Sequence, residues 1–299
     1  MAQHFYLAEP ACAHHVYVGA ADTDGNTAIF RCSFAGGVLT RDDADDAAAA
    51  WAPAAVREGD KGAGWISAAP SGDSLYVSVR GGPEPEQHYV AHYAIDRKDG
   101  ALTEASTQQT VLLGSPHCSV DPSGRMLVSS QMKGGGVTSF PLAADGALQP
   151  AATVLPLEGG GSGANPKRST QHFCHSAQMA VGGSHVFVPD LGADKLWSFA
   201  LHPESGTMSP ATPADHWVAP PGSGPRHLAC HPNGEWVFLI TEMGCTIEPL
   251  LYSAATGSLE RLAPSVSTLP PDWAGTMSVD VGDSLGCTTA DVHCSPDGK

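Results

Sequence analysis

The residues that could do chemistry cluster in a few short stretches: His117, then 172-HFCH-175 ahead of Asp190, then Arg226 and His227 ahead of Glu242, and finally His293 near the end of the chain. Arginine, imidazole and carboxylate suffice for metal-free acid/base catalysis. A base takes a proton from water, and a fixed cation steadies the oxyanion that forms. The spacing brings these types together. In a hairpin, residues equally far from the turn end side by side, and 226 and 242 are symmetric about Gly234. The same arithmetic sets His175 against Asp190 across Gly182-Gly183 and His117 against Gln131 across Gly124, and it starts an equivalent strand at His293, five residues before Gly298. Two groups, His172/Cys174/His175 and His227/Cys230/His231, have a superficial metal-ligand look. Strand alternation turns His175 away from His172 and Cys174, and Cys230 away from both histidines, so no metal is expected.

The elements that position these residues recur. A unit of apolar strand, Pro-x-Gly turn, apolar strand, third strand and Gly-x-Leu appears at 70–102, 122–148, 181–208 and 232–259, with a half unit at 16–39 and a fresh start at 295–299. The turn glycines Gly72, Gly124, Gly183, Gly234 and Gly298 are 52, 59, 51 and 64 residues apart, the spacing of four-stranded propeller blades. A sandwich or jelly roll would not repeat one turn and strand order in this way. With 34 Gly and 24 Pro, the chain favours short strands, and only 47–56 is helix-prone, broken by Pro53. The long breaks 41–53, 158–171 and 270–290 read as loops within one domain, 1–299. In a propeller the innermost strands surround a channel, so their starts would aim His117, His175, Arg226/His227 and His293 at one small-molecule pocket.

Composition narrows the function classes. Fifteen Lys+Arg against 31 Asp+Glu leave a formal charge of −16, which repels nucleic acid and anionic membranes. The start lacks a signal-peptide pattern and no stretch approaches ~20 apolar residues, so a cytoplasmic, soluble protein is expected. Eight cysteines without a C-x-x-C pair read as reduced, mostly buried thiols. Trp65, Trp197, Trp236 and Trp273 are expected in core or loop packing. His14, His15, His88, His92, His202 and His216 take no role.

The chain resembles the lactonase family of seven-bladed propellers, which includes bacterial-type 6-phosphogluconolactonases and the fungal carboxy-cis,cis-muconate cyclase. The resemblance rests on 16-VYVGA-20, 115-SPHCSVDPSGRMLV-128, 165-NPKR-168, 186-VFVPDLGADKL-196, 220-PPGSGPRHLACHPNG-234, Glu242, 267-STLPPDW-273 and 290-ADVHCSPDGK-299. It implies a site made of Arg226, Glu242 and His175, with Glu242 or His175 as base and Arg226 gripping oxyanion, phosphate or carboxylate. His117, Asp190, His227, His293 and Arg168, with neighbouring Lys167, would help bind substrate, and no cofactor is called for. The implied activity is hydrolysis of a sugar lactone, foremost 6-phosphogluconolactone of the pentose phosphate route. The alternatives are a cyclase-like lyase acting on a dicarboxylate and a non-catalytic binding platform. Two departures stand out: the sequence stops at 295-SPDGK-299, where another hairpin should begin, and 129-SSQ-131 and Thr241 replace the asparagines the family tends to carry. The expectation is an all-β propeller of the seven-bladed type, incomplete at its C-terminal end, with sheet edges left exposed.

Overall fold

The computed structural model describes residues 14–21, 27–41, 55–57, 62–80, 87–273, 276–277 and 286–299. Among them the chain is all-β, and no helix is long and apolar enough to cross a membrane. Five antiparallel sheets follow one another as blades. Blade I holds β1 (His14–Ala21), β2 (Thr27–Ala35), β3 (Val38–Arg41) and β4 (Ala55–Arg57); blade II holds β5 (Ala63–Ala68), β6 (Ser74–Arg80), β7 (His88–Ile95) and β8 (Leu102–Gln109). Blade III holds β9 (His117–Val120), β10 (Met126–Gln131), β11 (Gly136–Pro141) and β12 (Thr153–Pro156). Blade IV holds β13 (Gln178–Met179), β14 (His185–Asp190), β15 (Lys195–His202), β16 (Thr207–Pro210) and β17 (His216–Val218). Blade V holds β18 (Pro225–Cys230), β19 (Trp236–Thr241), β20 (Thr246–Tyr252), β21 (Leu259–Arg261) and β22 (Val266–Ser267). A short parallel pair, β23 (Thr276–Met277) with β24 (Gly286–Cys287), lies after blade V.

In blades II to V the strands pair in chain order from the inside out, and in IV and V the outermost position is shared by two short strands. Blade I begins with the VYVGA strand, which is second in the repeat, so its sheet matches the second to fourth strands of the others. Within the helix-prone stretch, Ala55–Arg57 pairs with β2 as a strand, while residues 47–54 lie outside the described residues, as does the loop 42–53. The loop at 158–171 joins β12 to β13.

The middle strands of blades III and IV are buried on both faces because a neighbouring blade covers each side. β10 and β14 are buried at every position, whereas outer β8 shows mostly exposed residues. The core is therefore a series of wedges between blades. Tyr17 and Ile29 pack with Ile66, Val77 and Tyr93 between I and II; Tyr76 and Val90 pack with Leu127 and Phe140 between II and III. Met126 and Val128 pack with Val186, Val188 and Phe199 between III and IV; Phe187 and Leu196 pack with Leu239, Leu250 and Tyr252 between IV and V. Burial of each such side chain contributes about 1.5–3 kcal/mol, which makes blade-on-blade packing the main support of the channel between them.

The repeated turns are locally encoded. Gly124 sits at φ 72°, a left-handed conformation that suits glycine, and Asp121 accepts hydrogen bonds from the backbone N–H groups of Ser123, Arg125 and Met126. This turn holds β9 against β10 and so sets the height of His117 in the channel.

Candidate active site

Inner strands touch in series, β5 to β9, β9 to β13 and β13 to β18, so residues from four segments share one hollow. The Trp65 and His117 rings lie 4.0 Å apart between centroids, Trp65 and His227 5.2 Å, His117 and His227 5.6 Å, and His175 and His227 5.1 Å. A cavity of about 200 Å³ opens beside them, lined among others by Trp65, Ser176, His227, Asp291, His293 and Cys294. Trp65 packs against the core between blades II and III, as expected, and also forms a wall of this cavity, its ring tilted by 38° on His117. Single-strand alternation could not reveal which blade edge it would meet.

Arg226 and Glu242 meet at the adjoining end of blade V. Arg226 Nε donates to Glu242 Oε2 at 3.0 Å, and Arg168 Nη2, from the loop before His175, donates to Oε1 at 2.7 Å. Arg226 also reaches the carbonyl oxygen of Ala290. The glutamate side chain is 7% exposed and the guanidinium-bearing side chains 18% (Arg168) and 19% (Arg226). Both carboxylate oxygens are thus engaged by cations, and Arg168 is a full member of the cluster rather than an accessory. The pairing of β18 with β19 shifts between Pro225 and His227, leaving Arg226 as an extra residue. In a regular strand 226 and 227 would face opposite ways; the bulge re-aims them so that Arg226 meets Glu242 while His227 lines the cavity.

Two of the pairings expected from turn symmetry are displaced by one residue. His117 lies opposite Ser130, not Gln131, because the Asp121–Met126 turn centres between Ser123 and Gly124. Gln131 is buried, donating to the Ser129 carbonyl and accepting from Thr138. Asp190 bridges to Cys174, while His175 N–H donates to the Pro189 carbonyl, so His175 and Asp190 are not partners. Asp190 is wholly buried and its oxygens accept from Phe173, Gly192 and Ala193 N–H, from Trp197 Nε1 and from His172 Nδ1 at 2.6 Å. It organises the strand end, and the cavity lining includes neither it nor His175, Arg168, Arg226 and Glu242. His172 Nε2 faces the Glu158 carbonyl, and since carboxylate and carbonyl both only accept, the two contacts together favour the imidazolium form of His172. The hydrogen bond to Asp190 accordingly raises its pKa.

His175 is the opposite case. Burial, then the charges of Arg226, His227 and His117, push its pKa well below the usual range, and its buried Nδ1 has no hydrogen-bond partner among the described residues. His227 is also lowered, by burial first, against the hydrogen bond it makes through Nδ1 to Asp291 Oδ1 at 2.9 Å. Burial would raise the Asp291 carboxyl, but the bond from His227 and the charges of His227 and His293 hold it below the usual carboxylate range. His293 donates to Asp291 Oδ2 at 3.0 Å from a side chain 74% exposed. His117 Nδ1 accepts from Ala177 N–H. Asp291 is the residue sequence reasoning missed: it stands two before His293, and the alternation of the strand expected there would have put the two on one face. Asp194, also unassigned, accepts from Ser162 Oγ, Gly222 N–H and Gly224 N–H, tying the loop that bears Arg168 to the one that precedes Arg226. Among the described residues, no group of three or more His, Cys, Asp or Glu is placed to hold a metal ion.

Comparison with known proteins bears on this arrangement. A family model described as a lactonase, 7-bladed beta-propeller, matches residues 15–299. The chain is 31% identical over 226 residues to a 6-phosphogluconolactonase of Cronobacter sakazakii and 31% over 213 residues to one of Bacillus subtilis. These matches take in 75% and 70% of this chain but 58% and 55% of the relatives, so the chain spans under two thirds of their length. The periplasmic gluconolactonase of Pseudomonas aeruginosa superposes with a TM-score of 0.76 at 25% identity, covering 96% of this chain and 74% of that one.

Proposed function

Because the chain belongs to the lactonase family of seven-bladed β-propellers, we propose that it hydrolyses a sugar lactone, foremost 6-phosphoglucono-1,5-lactone, by metal-free acid/base chemistry. The observation that carries the reading is the Arg168–Glu242–Arg226 cluster beside neutral imidazoles. Two guanidiniums around one carboxylate leave a net positive centre in a protein of formal charge −16, the local field an anionic substrate requires. Arg226 supplies the donors for the carbonyl oxygen as it becomes an oxyanion, or for the substrate's phosphate. Glu242, with each oxygen held by a guanidinium, orients both arginines and is not the proton acceptor. That role falls to a channel imidazole, kept neutral by burial.

The test is disappearance of 6-phosphoglucono-1,5-lactone with this chain and with Arg226→Ala. Turnover in the wild type and a fall of about 10²-fold or more in kcat/KM in the variant support the reading. Turnover of carboxy-cis,cis-muconate alone assigns the cyclase-like lyase activity instead, and the two guanidiniums suit its carboxylates. No turnover of either by a folded chain leaves a binding platform and refutes the proposal.

A further inference from the structure

Three side chains compete for the proton-transfer role, and hydrogen bonding separates them. Glu242 has both oxygens committed to arginines, and the buried Nδ1 of His175 has no hydrogen-bond partner among the described residues to fix its tautomer. His227 differs. Its Nδ1 faces a carboxylate oxygen, which can only accept, so the neutral ring carries its proton on Nδ1 and its lone pair on Nε2. Nε2 makes no hydrogen bond to the described residues, while the ring, 9% exposed, lines the cavity. Asp291 is itself immobilised by three donors: His227 Nδ1, Val292 N–H at 2.9 Å and His293 Nε2. A carboxylate that fixes an imidazole's tautomer and steadies the imidazolium formed on proton uptake is the arrangement general-base catalysis needs.

We infer that His227, positioned by Asp291, is the general base and then the general acid of the lactone hydrolysis proposed above, an inference that rests on that reading. A water O–H bond breaks as its proton passes to Nε2, and the oxygen bonds to the lactone carbonyl carbon. The tetrahedral oxyanion, facing Arg226, collapses with cleavage of the bond between the carbonyl carbon and the ring oxygen. That oxygen takes the proton from Nε2, giving the hydroxy acid, whose carboxyl proton is lost to solvent, and the neutral ring is restored. Asp291 remains an anion throughout and is a positioning residue.

The groups that face His227 are Asp291 and His293 from the segment after β24, His175 from the approach to β13, His117 on β9, Trp65 on β5 and Arg226 on its own strand. Wild type, His227→Gln and Asp291→Asn are compared on 6-phosphoglucono-1,5-lactone over roughly pH 5–9, with circular dichroism as the folding control. His227→Gln is expected to lower kcat about 10²-fold or more with KM changed only a few-fold. Asp291→Asn is expected to lower kcat and to move the acid limb of kcat/KM to lower pH, because the removed carboxylate favours the imidazolium. A kcat within about threefold of wild type in folded His227→Gln, against the usual contribution of such a base, or an unmoved acid limb in Asp291→Asn, overturns the inference. If His227→Gln does not fold, Asp291→Asn decides alone. A wild type without lactonase activity removes the underlying reading and this inference with it, whereas an active wild type beside an active His227→Gln removes only the inference.

Discussion

Glu242→Gln probes the cluster most directly. The carboxylate is nearly buried and bridges Arg168 Nη2 at 2.7 Å and Arg226 Nε at 3.0 Å. Glutamine keeps the shape but offers one oxygen and an NH2, so one guanidinium keeps an acceptor while the other meets a donor. Breaking a buried ion pair costs about 3–5 kcal/mol, and the lower end applies because the arginine side chains retain 18% and 19% exposure and regain some hydration. For a chain of this size about 3 kcal/mol lowers the thermal midpoint by roughly 6–12 °C. The freed Arg226 no longer addresses the oxyanion position, and kcat/KM is expected to fall by about 10²–10³-fold. Thermal unfolding followed by circular dichroism, with lactone turnover measured below the transition, reads both effects. A midpoint within about 2 °C of wild type together with undiminished turnover would falsify the view that Glu242 holds the two arginines in working orientation.

Asp194 lies at φ 53°, a conformation asparagine tolerates, so Asp194→Asn isolates its three hydrogen bonds; about 2 kcal/mol of stability should be lost, and KM should rise as the loops bearing Arg168 and Arg226 part. An unchanged KM would show that the loops hold their places without it. Stability should fall on both sides of neutrality. His175 and His227, with depressed values, contribute above the unfolded imidazole pKa of about 6.5 and lose that contribution as pH drops. His172, with a raised value, contributes below it and loses its share as pH climbs. Chemical denaturation across this range reads both limbs, and a His172→Gln chain that keeps the alkaline limb would remove the second assignment. Finally, EDTA should leave lactone turnover unaltered, since Arg226 supplies the positive charge; activity lost on chelation and restored by a divalent cation would overturn the metal-free step.

Much of the architecture was legible because it is written in local, repeated terms. Gly72, Gly124, Gly183 and Gly234 all adopt positive φ at turns of the repeat, and non-alternating apolar runs such as 186-VFV-188 mark strands covered on both faces. Arg226 and Glu242 meet within one hairpin, but through the bulge at Arg226 rather than through symmetry about Gly234. Where a single residue of register mattered, that arithmetic failed: a four-residue turn set His117 against Ser130, and Asp190 turned to His172 instead of His175. Trp65 was expected only in packing because its contact with His117 crosses to another blade, and Asp291 was passed over, despite its neighbour His293, because its bond to His227 spans 64 positions.

From sequence alone come the propeller repeat, the family and the kinds of side chain at the inner strand ends, since turn chemistry and strand burial act over a few residues. Tertiary structure alone decided that Glu242 is clasped by Arg168 from 74 positions away and that His227 is aligned by Asp291 from 64 away. Those contacts depend on how blades wedge together and on one bulge at Arg226. A shift of a single residue in either would turn the same side chains to another face.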